Sequence, residues 1–180
     1  MCKKYAAYKV RKSENKTRVK RFINLNQAKN VHVLMGANAL TPIQTEQFYK
    51  QVYAVADMFQ KMSCKLHLTV CVRKMPVESK RMGVEVFDYK QVKCCSKKPK
   101  QPIVTSFMGK KTDILINLLP FVSYPMEHLA AMSDASLKVA LKLENRPFQY
   151  DLQLQVDDIK QAADKNLSTL LFYLEKIQSK

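Results

Sequence analysis

Glu127 and His128 are adjacent, with Asn117 upstream and Asp134 downstream, and these are the side chains best suited to proton chemistry. A carboxylate and an imidazole can move protons, and an amide can orient a bound group. Their spacing argues against a shared reaction. Neighbours on a helix diverge by about 100°, so Glu127 and His128 do not both face one atom. No carboxylate pair, nucleophile elbow or base–nucleophile spacing occurs. Asn117 and His128 therefore stand as pocket candidates, and no residue is assigned as catalytic.

Metal and cofactor chemistry fare no better. His32, His67 and His128 fall in different elements, with neither H-x-x-x-H nor H-E-x-x-H. The five cysteines, Cys2, Cys64, Cys71, Cys94 and Cys95, are odd in number and form no C-x-x-C. Reduced thiols in a reducing cytosol are the expected state. Only three glycines occur, Gly36, Gly83 and Gly109, so neither a dinucleotide-binding glycine turn nor a P-loop can be built. No cofactor and no metal are expected.

Charge is the stronger signal. The 31 Lys and Arg outnumber 15 Asp and Glu, giving a net +16, which points to a polyanion, nucleic acid first and anionic membrane second. Residues 1–21 contain Lys3, Lys4, Lys9, Arg11, Lys12, Lys16, Arg18, Lys20 and Arg21 against Glu14 alone. They read as a basic arm, helical or frayed, ahead of a single α/β domain over residues 22–180. A second cluster lies in residues 88–111, with Lys90, Lys93, Lys97, Lys98, Lys100, Lys110 and Lys111. A third follows the second strand, at Arg73, Lys74, Lys80 and Arg81. Loops after parallel strands leave on one edge, so the second and third clusters are expected to share a rim.

The elements that position these groups follow from periodicity. Residues 112–120, T-D-I-L-I-N-L-L-P, form a run apolar on both faces, the pattern of a strand buried inside a parallel sheet. Asn117 lies near its carboxyl end, the edge where open α/β sheets bind ligands. Residues 31–35, 66–72, 84–87 and 137–141 read as further strands. Thr41 and Pro42 start a helix whose stripe is Phe48, Val52, Val55, Phe59 and Met62. Pro99 and Pro102 leave room for one short turn at residues 103–108. Pro125 starts a short helix. Residues 148–156 alternate strictly, predicting a one-sided edge strand with Phe148, Tyr150, Leu152, Leu154 and Val156 on one face. Asp157 or Asp158 then caps a helix with Ile159, Ala163, Leu167, Leu170, Leu171, Leu174 and Ile177 buried. The expected fold is a three-layer, Rossmann-like α/β domain with a mostly parallel sheet of five or six strands.

With T-D-I-L-I-N-L, then P-M-E-H-L-A-A-M-S-D-A-S-L-K-V-A, Y-D-L at residues 150–152 and F-Y-L-E-K-I at residues 172–177, the chain resembles an uncharacterised family of small basic proteins from Bacteroidota, a domain of unknown function. The position of Asn117 is often Asp there and that of Ala140 often Gly. The resemblance implies no activity. A looser likeness, over residues 113–118, 129–135 and 138–140, is to the amino-terminal half of heptosyltransferase-like sugar-transferring enzymes. It implies a fold.

Two functions follow. The first is a non-catalytic, cytoplasmic protein that binds RNA, free or on the ribosome, through the basic arm and loops. Tyr5, Tyr8, Tyr89 and Phe107 are available to stack on bases. Removal of residues 1–21 is then expected to weaken binding and leave the domain folded. The second is a degenerate Rossmann-like domain that binds a small molecule or sugar nucleotide beyond residues 113–118, with Asn117 and His128 in the pocket. Membrane association ranks last, because residues 1–21 lack an interfacial apolar stripe. No apolar run is long enough to span a bilayer.

Overall fold

Short apolar runs separated by amphipathic helices bury both faces of a sheet when strands run parallel and helices cross over them. The computed structural model describes residues 2–37, 41–60, 62–73, 84–156, 158 and 162–177. Its elements are α1 (Cys2–Lys12), β1 (Asn30–Ala37), α2 (Pro42–Gln60), β2 (Lys65–Val72), β3 (Val84–Asp88), α3 (Gln101–Met108), β4 (Ile114–Asn117), α4 (Tyr124–Met132), β5 (Leu137–Leu141), β6 (Leu152–Leu154) and α5 (Ala163–Lys176). The six strands pair in the order β3-β2-β1-β4-β5-β6, every pair parallel. The order reverses between β1 and β4, as in doubly wound folds.

Strand alternation sorts the core into two layers. Val31, Val33, Ile114, Ile116 and Val139 face α2 and α5, meeting Val52, Val55, Leu167, Leu170 and Leu174. Leu34, Cys71, Phe87, Leu115 and Ala140 face the other way, toward Phe107 of α3 and Met126, Leu129 and Ala130 of α4. β4 lies between β1 and β5, with all four of its residues buried. Each fully buried leucine or isoleucine there contributes about 2 kcal/mol of transfer free energy.

Local signals set the helix ends. Thr41 and Gln44 exchange hydrogen bonds at the start of α2, the backbone N–H of each donating to the other's side chain at 3.0 and 3.3 Å. Pro102 sits in the first turn of α3, where its missing N–H has no helical partner to lose, so the helix runs eight residues rather than one turn. The stripe of α5 matches expectation from Ala163 onward, but its N-cap is Ala162, so Asp158 does not cap it; Asp157 and Ile159 lie outside the described residues.

The predicted strand at residues 148–156 needs correction. Only Leu152–Leu154 pairs, on β5, although it does form the sheet edge. Phe148 and Tyr150 precede the strand in irregular backbone and join the α4 layer, whereas Leu152 and Leu154 pack on the α2–α5 layer. Alternation holds a single face only while the backbone stays extended, and here it turns between Tyr150 and Leu152.

Residues 2–21 are seated on the domain. α1 packs against α4, with Ala6 and Val10 fully buried, Val10 within the α3–α4 layer. The following segment is strapped down by Asn15 N–H to the Ala131 carbonyl at 2.9 Å and Arg21 N–H to that of Ser136 at 3.0 Å. Arg18 grips the Asp151 carboxylate with both terminal nitrogens, at 2.7 and 2.6 Å.

Candidate nucleic-acid interface

The carboxyl end of β4 holds a closed polar cluster. Asn117 Nδ2 donates to the Tyr150 hydroxyl at 2.7 Å, and that hydroxyl donates to Glu127 Oε2 at 3.1 Å. Arg146 pairs with Glu127 Oε1 and donates through Nε and Nη2 to the Leu141 carbonyl at 3.2 and 3.0 Å. Asn117 Oδ1 accepts from Leu119 N–H at 3.1 Å. Burial pushes the Glu127 carboxyl above its ordinary range, against the pull of Arg146 and Tyr150. Burial, reinforced by the Glu127 charge, pushes the Tyr150 phenol well up. Asn117 and Glu127 have no exposed surface, and their polar groups are occupied by one another.

Beside this cluster, Leu119 packs over the end of β1. A Cβ on Gly36 would lie 2.7 Å from the Cys71 carbonyl oxygen and 3.2 Å from Leu119 Cδ2, so only glycine fits. Asn117 and His128 do not meet. Because they are neighbours on α4, Glu127 turns toward Asn117 while His128 turns toward α1.

At His128 the chain builds a cleft. Its Nδ1 is 3.0 Å from Ser13 Oγ, just past the end of α1, and its Nε2 is 2.9 Å from the Ser96 carbonyl. A carbonyl can only accept, so Nε2 carries the proton. Burial lowers the pKa of His128; the Ser96 bond opposes this and the Lys98 charge adds to it. In the neutral ring Nδ1 is an acceptor, so it shares the single Ser13 hydroxyl proton with the Val10 carbonyl, 2.8 Å from the same oxygen. Ser96 lies in a tight hairpin closed by Lys93 N–H to the Lys98 carbonyl and Lys97 N–H to that of Lys93, both 2.9 Å. His128 thus clamps this hairpin and the end of α1 to one helix.

The cleft they enclose has a volume of about 410 Å³ and is lined by Tyr5, Lys9, Lys12, Ser13, Lys93, Ser96, Lys98 and His128. Four ammonium groups line it and no carboxylate does. None of the four lysines is in an ion pair among the described residues. Lys9 Nζ also stands 5.2 Å from the centre of the Tyr5 ring and 6.0 Å from that of Tyr8. Both rings are substantially exposed, Tyr5 at 44% and Tyr8 at 55%.

The structure divides the other basic candidates. Lys3 and Lys4 are exposed on α1, and Lys97 and Lys100 lie in or just after the hairpin. Arg11 is exposed but donates to the Pro147 carbonyl at 3.3 Å. Arg18 belongs to the fold, its side chain 3% exposed. Lys20 and Arg21 line a separate cleft with Glu14 and Asp151. Lys110 is bound to Glu85 at 2.5 Å. Lys110 and exposed Lys111 precede β4 and so lie at the amino edge of the sheet, whereas Arg73 follows β2 at the carboxyl edge. The shared rim therefore does not include Lys110 and Lys111. Lys74, Lys80 and Arg81 lie outside the described residues.

Two buried bases have structural environments. His32 Nε2 is 2.8 Å from Thr69 Oγ1, and burial, with Lys110 and His67 nearby, lowers its pKa to about 3. Lys138 Nζ donates to the Ala131 carbonyl at 3.2 Å and lies 5.0 Å from the centre of the Phe148 ring. Burial and the Arg18 charge lower its pKa to about 7 despite Asp151, Glu14 and Asp134. Among the described residues no group of His, Cys, Asp and Glu could hold a metal ion, and no helix is long and apolar enough to cross a membrane.

A family model described as "Family of unknown function (DUF6913)" matches residues 3–177. The chain belongs to that family. The matched span begins inside α1 and ends just past α5, so the DUF6913 unit includes the basic helix as well as the α/β layers. No curated protein sequence matches the chain significantly. The expected membership of an uncharacterised family is met at that level, and the expected three-layer, Rossmann-like α/β fold is present.

Proposed function

We propose that this DUF6913 protein is a non-catalytic, cytoplasmic RNA-binding protein that holds RNA, free or in the ribosome, through the cleft between α1 and the 93–98 hairpin. One observation carries the reading. Two basic segments far apart in sequence meet over His128, and four lysines converge there with no carboxylate among them. Like charges held close repel one another, and phosphate relieves that repulsion while releasing counterions. The small-molecule reading has weaker support, because Asn117, Glu127, Tyr150 and Arg146 satisfy one another without a ligand.

Fluorescence anisotropy with a labelled mixed-sequence RNA tests this. The expected result is binding at low salt, with log K falling by about 0.7 per phosphate contact for each tenfold rise in salt on a single strand. Absence of binding at low salt, or a flat salt response, overturns it.

A further inference from the structure

We infer that the cleft seats one unstacked nucleotide of a single strand, its base on Tyr5 and its flanking phosphates on the lysines of the two walls. This rests on the RNA-binding reading and specifies the form of RNA. The basic site is concave, with Lys9 and Lys12 on α1 facing Lys93 and Lys98 of the hairpin across it. A volume of about 410 Å³ lies within the range of pockets that enclose small ligands, about 300–1,000 Å³. A duplex presents a convex row of phosphates with its bases stacked inside, so it would leave such a recess empty. A single strand can swing one base out and into it.

The lining suits that partner. Tyr5 offers an exposed ring within the cleft, and Tyr8, three residues on, lies on the same face of α1 for an adjoining base. Lys9 lies against both rings, which sets a positive charge where a backbone joining two stacked bases passes. Ser13 and Ser96 also line the recess, beside a His128 ring already engaged on both nitrogens. Aromatic stacking reads any base, so the inference includes weak sequence preference.

The test compares the full chain with its Tyr5→Leu and Tyr5→Phe variants on a single-stranded RNA and on a blunt-ended duplex of equal length. The expected result is preference for the single strand, about tenfold weaker single-strand binding by Tyr5→Leu, near-unchanged duplex binding, and retention by Tyr5→Phe. Tyr5 is substantially exposed, and a thermal melt establishes that each variant is folded. Equal binding of both RNAs with no effect of Tyr5→Leu overturns this inference and leaves the RNA-binding reading standing. No binding to either RNA overturns both.

Discussion

The Nε2 nitrogen of His128 lies 2.9 Å from the backbone carbonyl of Ser96, so a loop 32 residues earlier in the chain hangs from the middle of α4. The opposite ring nitrogen meets Ser13 Oγ at 3.0 Å, across 115 residues. One buried imidazole therefore fixes both lips of the basic cleft, and its importance is positional rather than chemical.

Replacing His128 with Phe keeps most of the ring volume but leaves the Ser96 carbonyl without its donor. The expected cost is about 1–3 kcal/mol of stability, read by urea denaturation, with a several-fold loss of RNA affinity as the hairpin loosens. Unchanged affinity in a folded variant would show that the hairpin position does not matter.

Arg18 anchors the segment that leads from α1 into the domain. Its side chain is 3% exposed and that of Asp151 is 9%, and Arg18 also donates to the carbonyls of Ala135 and Ser136. Arg18→Ala leaves a largely buried carboxylate, so a loss of about 3 kcal/mol is expected. Burial pushes Asp151 up, but its bonds to Arg18 and Lys138 N–H, with the Arg18 and Lys20 charges, outweigh that and hold it below the ordinary value. This contribution is therefore present above the unfolded pKa and disappears as pH falls through the lower folded one. The Arg18→Ala variant should show a correspondingly shallower acid limb in its stability profile. Removal of residues 1–21 takes Val10 and Arg18 with it, so truncation is expected to destabilise the domain itself.

Lys138 makes the opposite pH prediction to a surface lysine. Its folded pKa of about 7 lies below the ordinary 10.5, so the folded state holds fewer protons between those values and stability rises with pH across that window. That stability is lost as pH falls through about 7. Lys138→Met removes the slope, and the variant should exceed wild type in melting temperature below about pH 7, with the difference shrinking toward pH 10.5. A difference independent of pH would mean that the ammonium is not desolvated.

Cys94 and Cys95 provide a charge probe at the hairpin. Both are exposed, whereas Cys64 and Cys71 are buried. Adjacent residues stand about 3.8 Å apart at Cα, closer than the roughly 4.4–6.8 Å of ordinary disulfides, so both thiols stay available. In a Cys2→Ser background, iodoacetate adds a negative charge at each thiol and iodoacetamide adds none. The acidic adduct should weaken RNA binding about tenfold, and the neutral one should leave it within about twofold. Equal effects of the two adducts would point to bulk rather than charge.

The sequence made the sheet legible because burial on both faces leaves a plain mark. Ile114, Leu115 and Ile116 could hardly belong anywhere but the centre. The turn between Tyr150 and Leu152 was not legible, since alternation is silent about where a backbone stops being extended. Lys9, Lys12 and Lys98 were visible as charge, but their meeting depends on a contact across 115 residues that no local pattern encodes. Arg18 looked like one more cation of an arm, because nothing near it in sequence announces Asp151.

The most direct test of the cleft compares two variants that lose the same charge. One replaces Lys9, Lys12, Lys93 and Lys98 with Gln; the other replaces exposed Lys29, Lys65, Lys142 and Lys165, which do not line the cleft. RNA affinity is measured over a salt series by anisotropy. The cleft variant should lose up to about 3 from the slope of log K against log salt, at roughly 0.7 per contact, while the control stays near wild type. Equal losses in the two variants would contradict a localised site and leave only diffuse attraction to a basic surface.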